Sequence, residues 1–261
     1  MPDPAPSRDI RAATLSFAPG ALRHAGTPEV CRDTAHTSEA PGSTDSVDGR
    51  AGFSHRYGLA DARLMRSLPP ATWTLFRLAE HKRGGTATHM WRVGTLAWRF
   101  AQALGMPAVE AQALGWAAAL HDTGKLCISN AILEKPGRLT PDEMGVMRMH
   151  PQVGADMLNA IGGAACELAA IVACTHHERY DGGGYPYGLS GNRIPLAGRI
   201  VALVDVFDAL ASHRPYRAAL SPAQIVGAML AERGRHFDPW LLDRFLERSL
   251  GPALEISSGA R

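Results

Sequence analysis

The stretch HHERYDGGGYP, from His176 to Pro186, combines two adjacent histidines with two acids, three glycines and a proline. Adjacent side chains on a helix diverge by about 100°, so His176 and His177 cannot both point into one apolar core. Either both imidazoles bind something that lies between these two directions, or one of them faces water.

Four ionisable residues lie on the apolar faces of predicted helices, each four positions from an apolar residue. These residues are His89, His121, His176 and Asp205. A single histidine on such a face is more often a satisfied core residue than a ligand. Several together, with an aspartate whose burial is costly unless it is paired or binds a cation, favour a metal site that includes Asp122. Spacing alone does not show which helices touch.

The elements that must position these residues are predicted to be helices. Residues 93–104 place apolar side chains at helical spacing, and a second helix is expected to start at Pro107 and end near Gly124. Further helix signals are the capping boxes Thr140–Glu143 and Ser221–Gln224, an Asp238-Pro239 start for the last helix, and stretches near 164–178 and 195–212. Because period-two alternation is almost absent, the sequence predicts an all-α fold.

Composition divides the chain into three parts. Residues 1–58 are rich in small and polar residues and predict a disordered arm, residues 59–250 predict a single helical domain, and residues 251–261 a flexible tail. A formal net charge of +2 argues against binding to DNA or RNA polymers. Without a long apolar run or a CxxC pair, the sequence predicts a cytoplasmic protein with reduced cysteines and no membrane partner.

HDTGK, from His121 to Lys125, followed by HHERYDGGGYP, resembles the HD-GYP branch of the HD-domain metal-dependent phosphohydrolases. The resemblance extends in order and spacing over about residues 75–250. Its other segments are HMWRV at 89–93, ILEKPGRLTPDE at 132–143, MHPQVGADML at 149–158, GLSGNRIPLAGRIVALVDVFDAL at 188–210 and RPYR at 214–217. The resemblance implies a helical bundle of the HD-domain type.

The resemblance also implies a two-metal centre. Its ligands would be His89, His121, Asp122, His150, His176, His177 and Asp205. Asp122 would bridge two divalent metals, with His89, His121 and Asp205 completing one site and the other three histidines completing the second. Fe or Mn suits mixed imidazole and carboxylate ligands without thiolate. Some family members carry a glutamate for a third metal where this chain has Gly85, so the sequence predicts two metals.

The implied activity is that of a cyclic-nucleotide phosphodiesterase. The substrate would be cyclic di-GMP, hydrolysed to linear pGpG by a hydroxide that bridges the metals, with further hydrolysis to GMP left open. The implied catalytic residues are Asp122 and Lys125. The implied substrate contacts are Lys125, Gly184, Tyr185, Pro186, Arg214 and Arg217. Each contact has a simpler alternative, namely a solvated cation for the basic residues and a plain turn for the loop.

Two other functions stay open at this point. The domain could be a catalytically weak cyclic di-GMP sensor or adaptor that interacts with diguanylate cyclases (GGDEF proteins), or a mononucleotide phosphohydrolase. Glu178 and Asp181 are interpreted either as supports for the histidines and the loop or as solvated acids. Asp208 is interpreted as a support rather than a ligand, and His81 and His236 as surface residues.

Overall fold

The computed structural model describes residues 70–82, 86–212 and 218–258, and the regular elements within these ranges are helices. The α-helices are α1 (Pro70–His81), α2 (Thr86–Ala103), α3 (Ala108–Ala119), α4 (Asn130–Leu133), α5 (Pro141–Met147), α6 (His150–Ile161), α7 (Ala164–Thr175), α8 (Leu196–Ala211), α9 (Pro222–Ala231), α10 (Pro239–Arg248) and α11 (Leu250–Ser258). Two 3-10 helices span Thr123–Cys127 and Gly191–Arg193. The all-α prediction is confirmed, and the predicted disordered arm at 1–58 lies outside the described residues.

Helix α2 lies at the centre of the bundle. It packs against α3 and α8, while α7 packs against α3, α6 and α8. The predicted apolar face of α2, from Val93 to Leu104, is buried, and Phe100 forms an edge-to-face pair with Phe245 of α10. The core therefore holds together the helices that carry the candidate ligands.

Local signals at the helix starts agree with the sequence. Thr140 and Ser221 each close a capping box, with Glu143 and Gln224 as the reciprocal partners. Asp238 caps α10 by accepting hydrogen bonds from the amides at 240 and 241. These caps satisfy amides that the first helical turn leaves without partners.

Two helices end earlier than the sequence predicts. Helix α3 ends at Ala119 rather than near Gly124, and the chain tightens into the 3-10 helix that follows Asp122. Helix α7 ends at Thr175 rather than at 178. In both cases the apolar periodicity runs past the end of the helix because the next residues are themselves buried, among them His121 and His176.

The predicted flexible tail at 251–261 is wrong over residues 251–258, which are helical, and residues 259–261 lie outside the described residues. Helix α11 continues to Ser258, packs against α2 and α8, and buries Ala253. Helix α10 is consequently not the last helix. Gly251 and Pro252 concealed this helix in the sequence, but proline is tolerated in a first helical turn, where its missing N–H has no intrahelical partner. Within the described ranges, no helix is both long and apolar enough to cross a membrane.

Candidate metal centre

The structure brings all seven predicted ligands to one place. They come from α2 (His89), the turn after α3 (His121 and Asp122), the start of α6 (His150), the end of α7 (His176 and His177) and the middle of α8 (Asp205). Their nitrogen and oxygen atoms form two groups, each with members within 4.8 Å of one another. One group is His89, His121 and Asp122, and the other is His150, His176 and His177.

Asp122 lies between the two groups and directs one carboxylate oxygen toward each. Its Oδ2 is 3.3 Å from Nε2 of His121 and 3.9 Å from Nε2 of His89. Its Oδ1 is 3.3 Å from Nε2 of His150 and 3.8 Å from Nε2 of His176. This carboxylate has the geometry of a bridge between two neighbouring cation positions.

Asp205 belongs to the group on the Oδ2 side of Asp122. Its Oδ1 lies 3.0 Å from Nε2 of His89 and 3.9 Å from Nε2 of His121. Asp205 thus pairs with a histidine from another helix, α2. Arg199, a basic residue of its own helix, pairs with Asp238.

The buried histidines are oriented by hydrogen bonds from Nδ1. His121, His150 and His176 each contact the backbone carbonyl three residues earlier, at 2.7, 2.7 and 2.8 Å. Because a carbonyl only accepts, Nδ1 must carry the proton in each ring. A neutral ring then directs the Nε2 lone pair toward the centre, as a metal ligand requires.

Atoms at the centre fit divalent cations. Nε2 of His121 and Oδ1 of Asp122 are buried and have no hydrogen-bond partner among the described residues. Nε2 of His150 lies 3.4 Å from Nε2 of His176, and two lone pairs at that distance repel each other. One cation in each group would satisfy these acceptors, and imidazole with carboxylate is a suitable donor set.

The electrostatics of the site agree with this interpretation. Burial, with the neighbouring His177 and His121, holds the pKa of His176 well below its ordinary value, and burial lowers the pKa of His177 to about 3. Burial works against ionisation of Asp122, but Lys125 and His121 hold the pKa of its carboxyl well below the usual range. His176 and His177 are thus neutral beside an ionised Asp122 carboxylate.

His89 differs from the other histidines because two carboxylates flank it. Burial lowers its pKa, but hydrogen bonds to Asp205 and Asp208 outweigh this effect and raise the pKa to about 9. In the absence of a cation, a proton on Nε2 of His89 balances Asp205. A bound cation would take the place of that proton.

Lys125 reaches into the same site from the 3-10 helix. Its Nζ donates to Oδ2 of Asp122 at 2.6 Å, and its side chain is partly buried. Gly124 allows this segment to pack closely, because a Cβ there would clash with the His150 carbonyl oxygen and lie 2.6 Å from the Gly154 nitrogen.

The GGGYP loop folds back over the site. The Tyr185 ring stacks on His177, with centroids 4.8 Å apart and planes inclined by 26°. Gly184 has no room for a side chain, since a Cβ there would lie 2.7 Å from the Glu178 carbonyl carbon. The Tyr185–Pro186 peptide bond is cis.

The structure shows what the two acids before this loop, Glu178 and Asp181, contact. Glu178 is buried, and its carboxylate accepts the amides of Tyr187 and Leu189 at 2.8 and 2.9 Å. Asp181 pairs with Arg179 and accepts the Gly183 amide. Both acids hold the loop rather than facing solvent alone.

Two arginines near the site escaped the sequence interpretation. Arg92, one turn after His89, donates to both oxygens of Asp208, and Asp208 in turn contacts Nδ1 of His89 at 2.8 Å. Arg148 places its guanidinium carbon 5.2 Å from the centre of the Tyr185 ring. Arg92 is three residues after His89 and Arg148 two residues before His150, which marks both as neighbours of candidate ligands but does not show what they contact.

Some predicted residues lie outside the described ranges. Arg214, Arg217 and Gly85 fall there, so the structure neither joins them to the site nor separates them from it. His81 is exposed, as predicted for a surface residue, but His236 is half-buried and stacks on Phe237. The difference at His236 arises because Phe237 is a core residue and holds the preceding ring against the protein.

A helical domain that brings histidine and aspartate side chains together in this way has the architecture of a metal-binding protein. Comparison with known proteins identifies the family. The sequence profile of the HD domain matches residues 74–241, and the chain belongs to this family. The family resemblance drawn from the motifs is confirmed.

Relatives with similar sequences are phosphodiesterases. Over 66% of its length the chain is 46% identical to the "Cyclic di-GMP phosphodiesterase response regulator RpfG" of Xanthomonas campestris, of which it covers 47%. Over 65% of its length it is 39% identical to a "Cyclic di-GMP phosphodiesterase" of Thermotoga maritima, of which it covers 46%. The chain thus spans about half the length of these relatives. A crystal structure of a V. cholerae cyclic GMP-AMP phosphodiesterase (V-cGAP3) shares the fold, with a TM-score of 0.52, 19% identity, and coverage of 72% of this chain and 51% of that one.

Proposed function

We propose that this chain is a metal-dependent phosphodiesterase that hydrolyses cyclic di-GMP to linear pGpG. The observation that carries the proposal is Asp122, which directs Oδ2 toward His121 and Oδ1 toward His150 at 3.3 Å each. The names of the Xanthomonas and Thermotoga relatives support cyclic di-GMP as the substrate. Neither the sensor nor the mononucleotide alternative gains support from these relatives.

We propose that two divalent cations, Fe or Mn, are held by the seven clustered ligands. His89, His121 and Asp205 would complete one site, and His150, His176 and His177 the other, with Asp122 shared. Cations so held would polarise the phosphodiester and lower the pKa of a water nucleophile. The chain's own contribution is to fix these ligands on separate packed elements. Backbone carbonyls hold the Nδ1 protons of His121, His150 and His176, and Asp208 holds that of His89.

Lys125 is proposed to bind a nonbridging phosphate oxygen. Its ammonium group has three donors, and the contact with Asp122 uses one of them. The remaining donors are at the mouth of the cation site, where negative charge develops on the phosphate during hydrolysis. Its contact with Asp122 holds the ammonium at that position.

The guanine bases are proposed to be bound by the loop and by neighbouring arginines. Tyr185 presents an aromatic face beside His177, and Arg148 adds a cation next to that face. Gly184 and Pro186 shape the loop, and Arg214 and Arg217 remain proposed phosphate or base contacts. Binding to diguanylate cyclases remains a prediction of the sequence.

A second candidate substrate is 3'3'-cGAMP. A "3'3'-cGAMP-specific phosphodiesterase 2" of Vibrio cholerae is 39% identical over 67% of this chain, which covers 34% of that protein. Both substrates offer the same phosphodiester linkage, and they differ in one purine. The metal centre is indifferent to that purine, so the choice between them falls to the base-binding residues.

The test is hydrolysis by purified protein, prepared anaerobically and supplied with Mn(II) or Fe(II). Chromatography should show pGpG from cyclic di-GMP, a lower rate with 3'3'-cGAMP, and no release of phosphate from mononucleotides. Asp122→Ala should abolish the activity, whereas Glu134→Gln, at an exposed position, should leave it intact. Tight binding of cyclic di-GMP without product in the metal-loaded protein would contradict the proposal and support a sensor.

A further inference from the structure

Asp208 is a buried carboxylate with four hydrogen-bond donors around it. Its Oδ2 contacts Nδ1 of His89 at 2.8 Å and accepts from Arg92 at 2.9 Å. Its Oδ1 accepts from Nε of Arg92 at 2.7 Å and from the Ser257 hydroxyl at 2.9 Å. The carboxylate is therefore fixed in plane and in position, and it fixes the ring of His89 in turn.

Ser257 lies on a different helix from His89 and Arg92, which supply the other three donors to Asp208. It belongs to α11, near the C-terminal end of the described chain, and lies beyond the residues that the HD-domain profile matches. Both the Ser257 side chain and Asp208 are buried, so water does not replace this donor. Helix α11 packs against α2 and α8, the helices that carry His89 and Asp208.

We infer that Ser257 is a positioning residue for the metal centre, acting through Asp208 on His89. The inference rests on the proposed metal site. Groups that orient a metal-bound histidine through its other nitrogen set the direction and basicity of the ring. The C-terminal helix thereby becomes part of the metal-binding unit, which a chain truncated at the end of the profile match would lack.

The hydrogen bonds of Ser257 and Asp208 lead to only one of the two proposed cation positions, the one that includes His89. Within the described residues, the path from Ser257 passes through Asp208 to His89, which faces Oδ2 of Asp122 and Oδ1 of Asp205. The histidines on the Oδ1 side of Asp122, His150 and His176, are oriented by backbone carbonyls instead. Loss of the Ser257 hydroxyl should weaken one cation position and spare the other.

The experiment is Mn(II) binding to the full chain, measured by calorimetry and by electron paramagnetic resonance, for Ser257→Ala and for Ser249→Ala. Ser249 is a matched control because it is equally buried, at 6% exposure, but its hydroxyl has no hydrogen-bond partner within the part of the chain that the structure describes. Ser257→Ala should weaken one of two binding steps by about three- to tenfold, somewhat less than a direct partner of a ligand. Ser249→Ala should change neither step, and Ser257→Thr, which keeps a hydroxyl, should retain the wild-type affinity.

A double-mutant cycle tests the route. In a His89→Ala background, Ser257→Ala should cause no further loss, because the ring through which it acts is gone. If Ser257→Ala folds poorly, Ser257→Cys, of similar volume and a weaker donor, should show the same selective loss. Unchanged affinity in folded Ser257→Ala and Ser257→Cys, equal weakening of both steps, or an additive loss with His89→Ala would overturn this inference but not the proposed metal centre. A wild-type chain that binds no Mn(II) would overturn the proposed metal centre with it.

Discussion

Asp122 shows how a single residue can organise the whole centre. It is buried, its two oxygens face different histidine groups, and Lys125 holds a positive charge 2.6 Å from one of them. A buried carboxylate is costly unless charge compensates it. Here Lys125 supplies that compensation in part, and the proposed cations would supply the remainder.

Lys125 permits a test of substrate binding apart from metal binding. Lys125→Met should lower kcat/KM for cyclic di-GMP by about 10²-fold, since a charged donor to the reacting phosphate is lost. Metal content should stay at the wild-type level, because Lys125 is not a ligand. The measurements are steady-state kinetics and elemental analysis of the same preparations.

Lys135→Met is the matched control for that substitution, since Lys135 pairs with Glu143 on the surface. It should leave kcat/KM unchanged. Loss of metal together with activity in Lys125→Met would show instead that the lysine serves to hold Asp122 in place.

At the scale of elements, close packing between backbones positions the ligands. Gly124 lies against the first turn of α6, so the segment that carries His121 and Asp122 approaches His150 directly. The two halves of the centre are held together by this contact as well as by the core.

Gly124→Ala tests the contact. The added methyl group would clash with the His150 carbonyl and should cost about 1–3 kcal/mol of unfolding free energy, as overpacking does elsewhere. Chemical denaturation measures the change. Gly145→Ala, where a Cβ meets nothing within 4 Å, is the control and should be neutral or slightly stabilising. Equal stability of the two variants would contradict the described packing.

The capping box of α5 gives a prediction about pH. The Lys135 ammonium and the Thr140 amide hold the pKa of Glu143 below its ordinary value of 4.5. A depressed folded pKa means that the stabilisation is present above pH 4.5 and is lost as the pH falls through the folded pKa.

Carboxylate NMR titration of Glu143 checks this direction. Lys135→Met should return the Glu143 pKa toward 4.5, because the ammonium group that stabilises the carboxylate is removed. A Glu143 pKa that does not move when Lys135 is replaced would contradict the assigned cause.

How far the sequence predicts this site depends on the range of each signal. Helical spacing singled out His89, His121, His176 and Asp205, and the family resemblance implied the full set of seven candidate ligands. The caps at Thr140 and Ser221 were predictable because each belongs to a short motif of fixed spacing. The contact of Arg92 with Asp208 joins residues 116 positions apart, so no local pattern could reveal it. Helix α11 was missed because Gly251 and Pro252 resemble a terminator, and only packing against α2 and α8 makes it a helix.

At the scale of the whole molecule, cation binding should contribute to stability. The centre joins residues from α2, α6 and α8 with the ends of α3 and α7, so a bound cation would stabilise the folded chain but not the unfolded one. Mn(II) at about 100 times its Kd should add about 2.7 kcal/mol per site. That corresponds to an increase in Tm of about 5–10 °C for a domain of this size.

Differential scanning calorimetry with and without chelator measures this effect. Asp122→Asn should show a much smaller increase, because an amide offers one oxygen in place of two. An equal increase in that variant would place the stabilising cation elsewhere in the molecule.

The two-metal centre is tested most directly by anomalous diffraction at the Mn edge from crystals of the metal-loaded protein. We expect two anomalous peaks about 3.5–4 Å apart, one on each side of the Asp122 carboxylate. The first should be bounded by His89, His121 and Asp205, and the second by His150, His176 and His177. A single peak, or peaks away from these seven residues, would contradict the proposed two-metal centre.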